Sequence, residues 1–266
     1  MDDRSLSISC RVVRFLISVV GQNVSKVKPL LDELEALKRR TTYFALDLSR
    51  QSLLEAMAYL NPRYKHISCF GLWGSFDDGL KWAQMIPGPR LFLSLGSIYG
   101  NDFFDTAVKR MRPLANPLRA DDRLLLGMDG TSNLDDIWNS YHDRDGEFEK
   151  FMRNGLVHSN RVLQHHWYNA EDWDVVGAVA TKPAIMHRFV FRARREVSCA
   201  ALDLHFKAGE EIDCYEAFKY GPETMRRQFA LNGLKEIGIW TSPSERINQY
   251  LLRRSKEEEK GVTEIF

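Results

Sequence analysis

Strand-like and helix-like segments alternate along the first half of the chain, and that alternation restricts the fold more than any single motif. Val12 to Val20 is an apolar, β-branched run, and Lys26 to Arg39 then repeats apolar residues at helical spacing (Val27, Leu30, Leu31, Leu34, Leu37). Thr42 to Leu48 reads as a second strand and Gln51 to Leu60 as a second helix; Lys65 to Phe70 and "RLFLSL" (Arg90 to Leu95) add two further strands. A helix from Asp102 to Leu114 and the strand "DRLLLGMD" complete five repeats. Such a series favours a mostly parallel sheet covered by helices on both faces. Ligands of these sheets sit beyond the carboxyl ends of the strands, near the point where strand order reverses.

From Thr131 to about Tyr215 the rhythm changes. Asn133 to Tyr141 and Gly146 to Leu163 read as helices, and shorter strands fall around Trp173 to Ala180 and Arg188 to Arg194. Alternation returns with a helix over Pro222 to Asn232 and the strands "LKEIGIW" and "INQYLLR". The middle therefore reads as a mixed α/β insertion, residues 131–217, carried on a core made of residues 10–130 and 218–266 and packed over its strand ends.

Composition sets the class of partner. The 266 residues are 44% hydrophobic and 27% charged, with a formal net charge of +1, which gives no electrostatic reason to expect nucleic acid or an anionic membrane. The basic run Arg192 to Arg195 and the pair Arg253-Arg254 are short enough to be solvated faces. Val12 to Val20 is too short to span a bilayer and contains Arg14, with no cleavage site behind it, so the chain reads as cytoplasmic. Cys10, Cys69, Cys199 and Cys214 form no Cys-x-x-Cys pair and read as free buried thiols.

Two strand ends carry candidate chemistry. Asp47 closes the otherwise apolar second strand; a carboxylate there accepts both hydroxyl hydrogens of a ribose, or simply favours the dipole of the helix that follows. "GSIYGN", Gly96 to Asn101, closes the fourth strand with two glycines that permit close backbone approach, and Asn101 is placed to cap the helix expected from Asp102. After the first strand only Gly21 is present, so the G-x-G-x-x-G fingerprint is missing and hydride transfer is disfavoured. His158, His165, His166 and His187 have no carboxylate or thiol at metal-ligand spacing, and no G-x-S-x-G elbow offers a nucleophile. Trp73, Trp138, Trp167, Trp173 and Tyr141 are either core or the lining of an aromatic pocket.

Taken together, "TYFALDLS", "GLWGSFDDGLKW", "LSLGSIYGN", "LLLGMDGTSN" leading to "YHDRDG", and "FMRNGLVHSNRVL" with "EAFKYGPE" resemble one family over about Gly21 to Trp240. The chain is similar to the S-adenosylmethionine-dependent N-methyltransferases of the histidine-betaine (hercynine) type. Their fungal relatives include the dimethylallyltryptophan N-methyltransferase of ergot alkaloid biosynthesis. The resemblance implies a class I, Rossmann-like α/β methyltransferase that uses S-adenosyl-L-methionine on a small amino-acid substrate. It implies cofactor contacts for Gly21, Asn23, Lys26, Asp47 (ribose), Ser75 and Phe76 (the turn beside adenine) and Gly96. It implies substrate contacts for Gly96, Asn101 (amino-acid end), Tyr141 (carboxylate), Tyr215 and Ala217, with no catalytic nucleophile.

Three departures from the family pattern matter. The family's Gly-Ser-Gly-Asn-x-x-Lys loop reads Val20-Gly21-Gln22-Asn23 here, with Lys26 keeping its end. The family's N-terminal segment, which helps close the site, has no counterpart ahead of it. The histidine enzymes carry Glu-x-Ser before their Tyr-Lys-Tyr, where Glu and Ser grip imidazole; here the stretch is Tyr215-Glu216-Ala217-Phe218-Lys219-Tyr220. The resemblance thus implies methylation of the amino group of an aromatic, tryptophan-type amino acid in fungal alkaloid biosynthesis. Histidine methylation and a truncated, non-catalytic relative are the alternatives.

Overall fold

The computed structural model describes residues 14–18, 24–244 and 246–255. In chain order these begin with β1 (Phe15–Ser18), α1 (Val24–Ala36), β2 (Thr41–Asp47), α2 (Arg50–Leu60), β3 (Ile67–Trp73) and α3 (Phe76–Ala83). Next come β4 (Arg90–Ser94), α4 (Phe104–Ala115) and β5 (Arg123–Asp129). There follow α5 (Leu134–Asn139), α6 (Glu147–Leu163), β6 (Trp173–Ala180), β7 (Ile185–Ala193), β8 (Val197–Cys199), β9 (Leu204–Phe206) and β10 (Glu211–Lys219). The last elements among the described residues are α7 (Pro222–Leu231), β11 (Leu234–Thr241) and β12 (Ile247–Arg254).

Residue contacts divide the chain into two compact units, one of residues up to Gly100, Phe104–Gly130 and from Pro222 onward, the other of Asn101–Phe103 and Thr131–Gly221. The first unit holds a seven-stranded sheet in the order β11-β12-β5-β4-β1-β2-β3. β3, β2, β1, β4 and β5 run parallel, while β12 is antiparallel to both β5 and β11. This open, mostly parallel sheet with helices between its strands is the α/β architecture expected from the sequence.

Burial explains why the sequence alternates as it does. All five residues of β4 are buried, as expected of a central strand covered on both faces, and this is why "RLFLS" carries no polar alternation. On α1 the buried residues are Val27, Leu31 and Leu34, an i, i+4, i+7 stripe that packs with Leu16, Tyr43, Leu91 and Leu93 from the sheet. Arg90 opens β4 without solvent: its guanidinium meets Asp122 just ahead of β5, and both side chains are fully buried. Asp122 accepts from the Arg90 backbone N–H at 2.9 Å, from Arg90 Nε at 3.1 Å and from the Arg119 N–H at 2.8 Å.

The second unit contains a three-stranded antiparallel sheet, β10-β7-β6, and the small ladder β8-β9. Its core gathers Met152, Tyr168, Trp173, Phe189, Phe191, Ala193 and Val197. The register of β10 on β7 shifts between Asp213 and Tyr215, a bulge that decides which side chains of β10 share a face.

Several sequence expectations need correction. α4 begins at Phe104 rather than Asp102, and Asn101 does not cap it. α3 and β10 escaped the sequence reading altogether. Cys69 is buried, whereas Cys199 and Cys214 are only half-buried; all three are free thiols. Cys10 lies outside the described residues. The basic run at Arg192 to Arg195 is solvent-exposed, as expected, and its arginines form surface pairs, Arg192 with Glu211 at 2.7 Å and Arg194 with Asp174 at 2.6 Å. Trp173 is fully buried, but Trp73 is 70% exposed and Trp138 40% exposed. No helix among the described residues is long and apolar enough to cross a membrane.

Candidate functional site

In the first unit the carboxyl ends of β1, β2, β3 and β4 lie along one edge of the sheet, and strand order reverses between β1 and β4. α1 starts there. Lys26, in its first turn, reaches Gly96 behind β4: a Cβ built on Gly96 would stand 3.8 Å from Lys26 Nζ and 3.3 Å from Ile98 Cδ1. Gly96 thus keeps the backbone bare at the switch point. Ser97 next to it is a non-glycine residue with φ of 57°. That strained turn is fastened to β5: the Ser97 N–H donates to the Gly127 carbonyl at 3.1 Å, and Ser97 Oγ accepts from the Asp129 N–H at 3.0 Å. Gly100 has φ of 88°, and its open side is filled by α7, since a Cβ there would lie 3.3 Å from Gln228 Oε1. Of the two glycines, Gly96 is the one that lies beside Lys26.

Asp47 stands at the end of β2. Its Oδ1 accepts from the Ser49 N–H at 2.8 Å, and the Ser49 hydroxyl in turn accepts from Ser52 N–H to cap α2. The turn therefore fixes the carboxylate while Oδ2 accepts no hydrogen bond among the described residues. Trp73 at the end of β3 donates from Nε1 to the Leu48 carbonyl at 3.0 Å, laying an exposed indole beside the Asp47 turn. Ser75 and Phe76, expected in a turn, instead begin α3. Ser75 is its N-cap in a reciprocal box with Asp78, its hydroxyl 2.6 Å from Asp78 Oδ2, and Phe76 packs on Tyr99 with ring centroids 5.7 Å apart. Gly21 and Asn23 lie outside the described residues.

This edge therefore gathers a fixed carboxylate with an open oxygen, a backbone without a side chain at Gly96, and the Lys26 amine in the first turn of a helix.

The residues expected to meet the substrate fall, Gly96 apart, in the second unit. Because of the bulge, Tyr215, Ala217 and Lys219 alternate onto one face of β10, and Tyr215 pairs with Phe189 and Ala217 with His187 on β7. Tyr141, between α5 and α6, joins them: its ring lies 5.8 Å from Tyr215, 5.2 Å from Phe148 and 4.5 Å from His187. Burial pushes the Tyr215 hydroxyl up to about 12. Asn101 is used differently from the others. Its Oδ1 accepts from the Phe218 N–H at 2.7 Å and its Nδ2 donates to the Glu216 carbonyl at 3.3 Å, so its amide clamps the backbone on either side of Ala217.

A histidine pair escaped the sequence reading. His187 is fully buried, and its Nε2 lies 3.0 Å from Nε2 of His142, so one ring carries the shared hydrogen and the other accepts it. Trp138 stacks on His142 at 3.6 Å, and His142 in turn covers Gly177, where an added Cβ would come within 2.4 Å of its Cε1. Burial, then the charges of His142 and Lys219, push His187 down to about 4; burial also lowers His142, opposed by Asp143 and Glu149. His158, His165 and His166 are exposed, and no group of three metal-ligating side chains occurs among the described residues.

The depressed value has a consequence for stability. A histidine at about 4 when folded and near 6.5 when unfolded binds protons preferentially in the unfolded state between those values. Stability should be constant above about pH 6.5 and fall as pH drops toward 4, by on the order of 3 kcal/mol for a shift of this size. His187→Phe should flatten that limb in denaturant unfolding measured across the window; an unchanged limb would show that another group causes it.

The model of one family, described as histidine-specific methyltransferase, SAM-dependent, matches residues 5–254. The chain belongs to this family. It is 28% identical over 245 residues to ergothioneine biosynthesis protein 1 of Neurospora crassa, a match covering 91% of this chain but only 28% of that protein. It is 28% identical over 235 residues to the histidine N-alpha-methyltransferase of Mycolicibacterium smegmatis, covering 86% of this chain and 72% of the relative. It is 25% identical over 276 residues to the 4-dimethylallyltryptophan N-methyltransferase of Claviceps fusiformis, covering 93% and 76%. S-adenosylmethionine is the cofactor of the family.

Proposed function

We propose that the chain transfers a methyl group from S-adenosylmethionine to the amino nitrogen of an aromatic, tryptophan-type amino acid. The observation that carries this reading is the β10 face. Where the histidine enzymes present a carboxylate and a hydroxyl, this face presents the Tyr215 ring and the buried methyl of Ala217, within an aromatic wall of Tyr141, Phe148 and Phe189. A wide apolar ring gains from such a wall, and an imidazole loses two partners. When bound, S-adenosylmethionine supplies an activated methyl on a sulfonium. The chain's residues have positional tasks. Asp47 holds the donor's ribose, Lys26 and the bare backbone at Gly96 seat its amino-acid end, and Tyr141 takes the substrate carboxylate. Asn101 orders the β10 strand that meets the side chain. In-line transfer to a neutral amine needs alignment and no covalent protein intermediate, which suits a site without a nucleophile. Similarity to the 4-dimethylallyltryptophan N-methyltransferase of Claviceps fusiformis supports a tryptophan-type substrate.

Histidine is the second reading. It is favoured by similarity to the Mycolicibacterium enzyme and by the polar His142–His187 pair on the same sheet face. Competition resolves the two: the chain, given S-adenosylmethionine with equal tryptophan, dimethylallyltryptophan and histidine, should methylate the indole substrates first. Methylation of histidine ahead of both would overturn the reading of Tyr215 and Ala217.

A further inference from the structure

We infer that Lys219 is a positioning residue for substrate recognition, aligning and polarising the Tyr141 hydroxyl toward the carboxylate of the amino-acid substrate. This rests on the assignment of Tyr141 to that carboxylate. Lys219 ends β10 on the face shared by Tyr215 and Ala217, and it is buried to 7% exposure. Its Nζ donates to Tyr141 Oη at 2.9 Å and stands 5.2 Å from the centroid of that ring. The Tyr215 ring lies 5.8 Å from that of Tyr141, so Lys219, Tyr141 and Tyr215 stand in series along one aromatic wall.

The chemistry gives this series a direction. An ammonium has three donors and no acceptor, so the Tyr141 oxygen must accept from Lys219, and its own hydrogen points elsewhere. A phenol that accepts from a cation becomes a better donor in turn, because hydrogen bonds in a chain polarise one another. The two histidines of the cluster do not compete for this role. Burial holds His187 at about 4, so it is neutral near pH 7, and His142 is shifted in the same direction. The basic group in contact with the Tyr141 hydroxyl is therefore Lys219, which donates to it at 2.9 Å.

The test compares an amino acid with the amine that lacks only its carboxylate. Calorimetry of tryptophan and tryptamine is carried out on the full chain, with S-adenosylhomocysteine present, for the parent, Lys219→Met and Lys219→Arg. Lys219→Met should weaken tryptophan about 10- to 100-fold, the range of one charge-assisted hydrogen bond, and tryptamine by less than about twofold. Lys219→Arg, which keeps the charge, should recover most of the loss. Equal weakening of acid and amine, or none for either, would overturn the inference and leave Lys219 a structural residue. If the parent binds histidine but not tryptophan, the substrate reading above falls, and the same comparison with histidine and histamine decides the role of Lys219. Failure of the parent to bind any of these amino acids overturns both.

Discussion

Asp122→Ala is expected to lower the unfolding free energy by about 3–5 kcal/mol, the cost of leaving a buried charge without its partner. The carboxylate accepts hydrogen bonds from the backbone of Arg90 and Arg119 and from the Arg90 guanidinium, all without solvent. Its removal strands the guanidinium, whose remaining bonds go to the carbonyls of Ala83 at 2.5 Å and Pro117 at 3.1 Å. β4, which precedes Gly96, would lose its anchor at the opposite end. Denaturant unfolding of the two proteins measures the difference; a change below about 1 kcal/mol would mean that the pair contributes no more than a surface salt bridge does.

Asp47→Ala is expected to weaken S-adenosylmethionine binding by at least about 100-fold. Two charge-assisted hydrogen bonds to a ribose are each worth about 1.5–3 kcal/mol, and 1.4 kcal/mol is tenfold in affinity. The carboxylate is fixed by Ser49 before any ligand arrives, so little ordering cost offsets them. Asn101→Ala is the complementary change. It removes the clamp on Glu216 and Phe218, so it should impair amino-acid binding while leaving S-adenosylmethionine affinity within about threefold. Titration calorimetry with each ligand on each variant separates the two effects. Equal loss of cofactor affinity in both would show that donor and acceptor roles are wrongly divided between them.

The parallel strands were legible because burial on both faces writes them as continuous apolar runs, as in Leu91 to Ser94. Asp47 was legible for the same reason, since a carboxylate at the end of such a run stands out. What escaped depends on contacts that neighbouring residues do not reveal. Asn101 reads locally as a helix cap, yet its amide is taken by Glu216, 115 positions away. The face shared by Tyr215, Ala217 and Lys219 depends on a bulge at Cys214, which leaves no mark in a short, weakly alternating strand. His142 and His187 meet across the second unit, 45 positions apart, so neither reads as half of a pair. α3 is the exception, for Ser75-Phe76-Asp77-Asp78 spells a capping box in plain sequence.

Methyl transfer itself is the most direct test of the account. The chain, incubated with S-adenosylmethionine and a panel of aromatic amino acids and prenylated tryptophan and read by mass spectrometry, should add a methyl group to the amino nitrogen of an indole-bearing substrate. Asp47→Ala should abolish that product at cofactor concentrations that saturate the parent. A parent chain that binds S-adenosylmethionine yet methylates none of the panel, histidine included, would contradict the account and leave a binding protein in place of an enzyme.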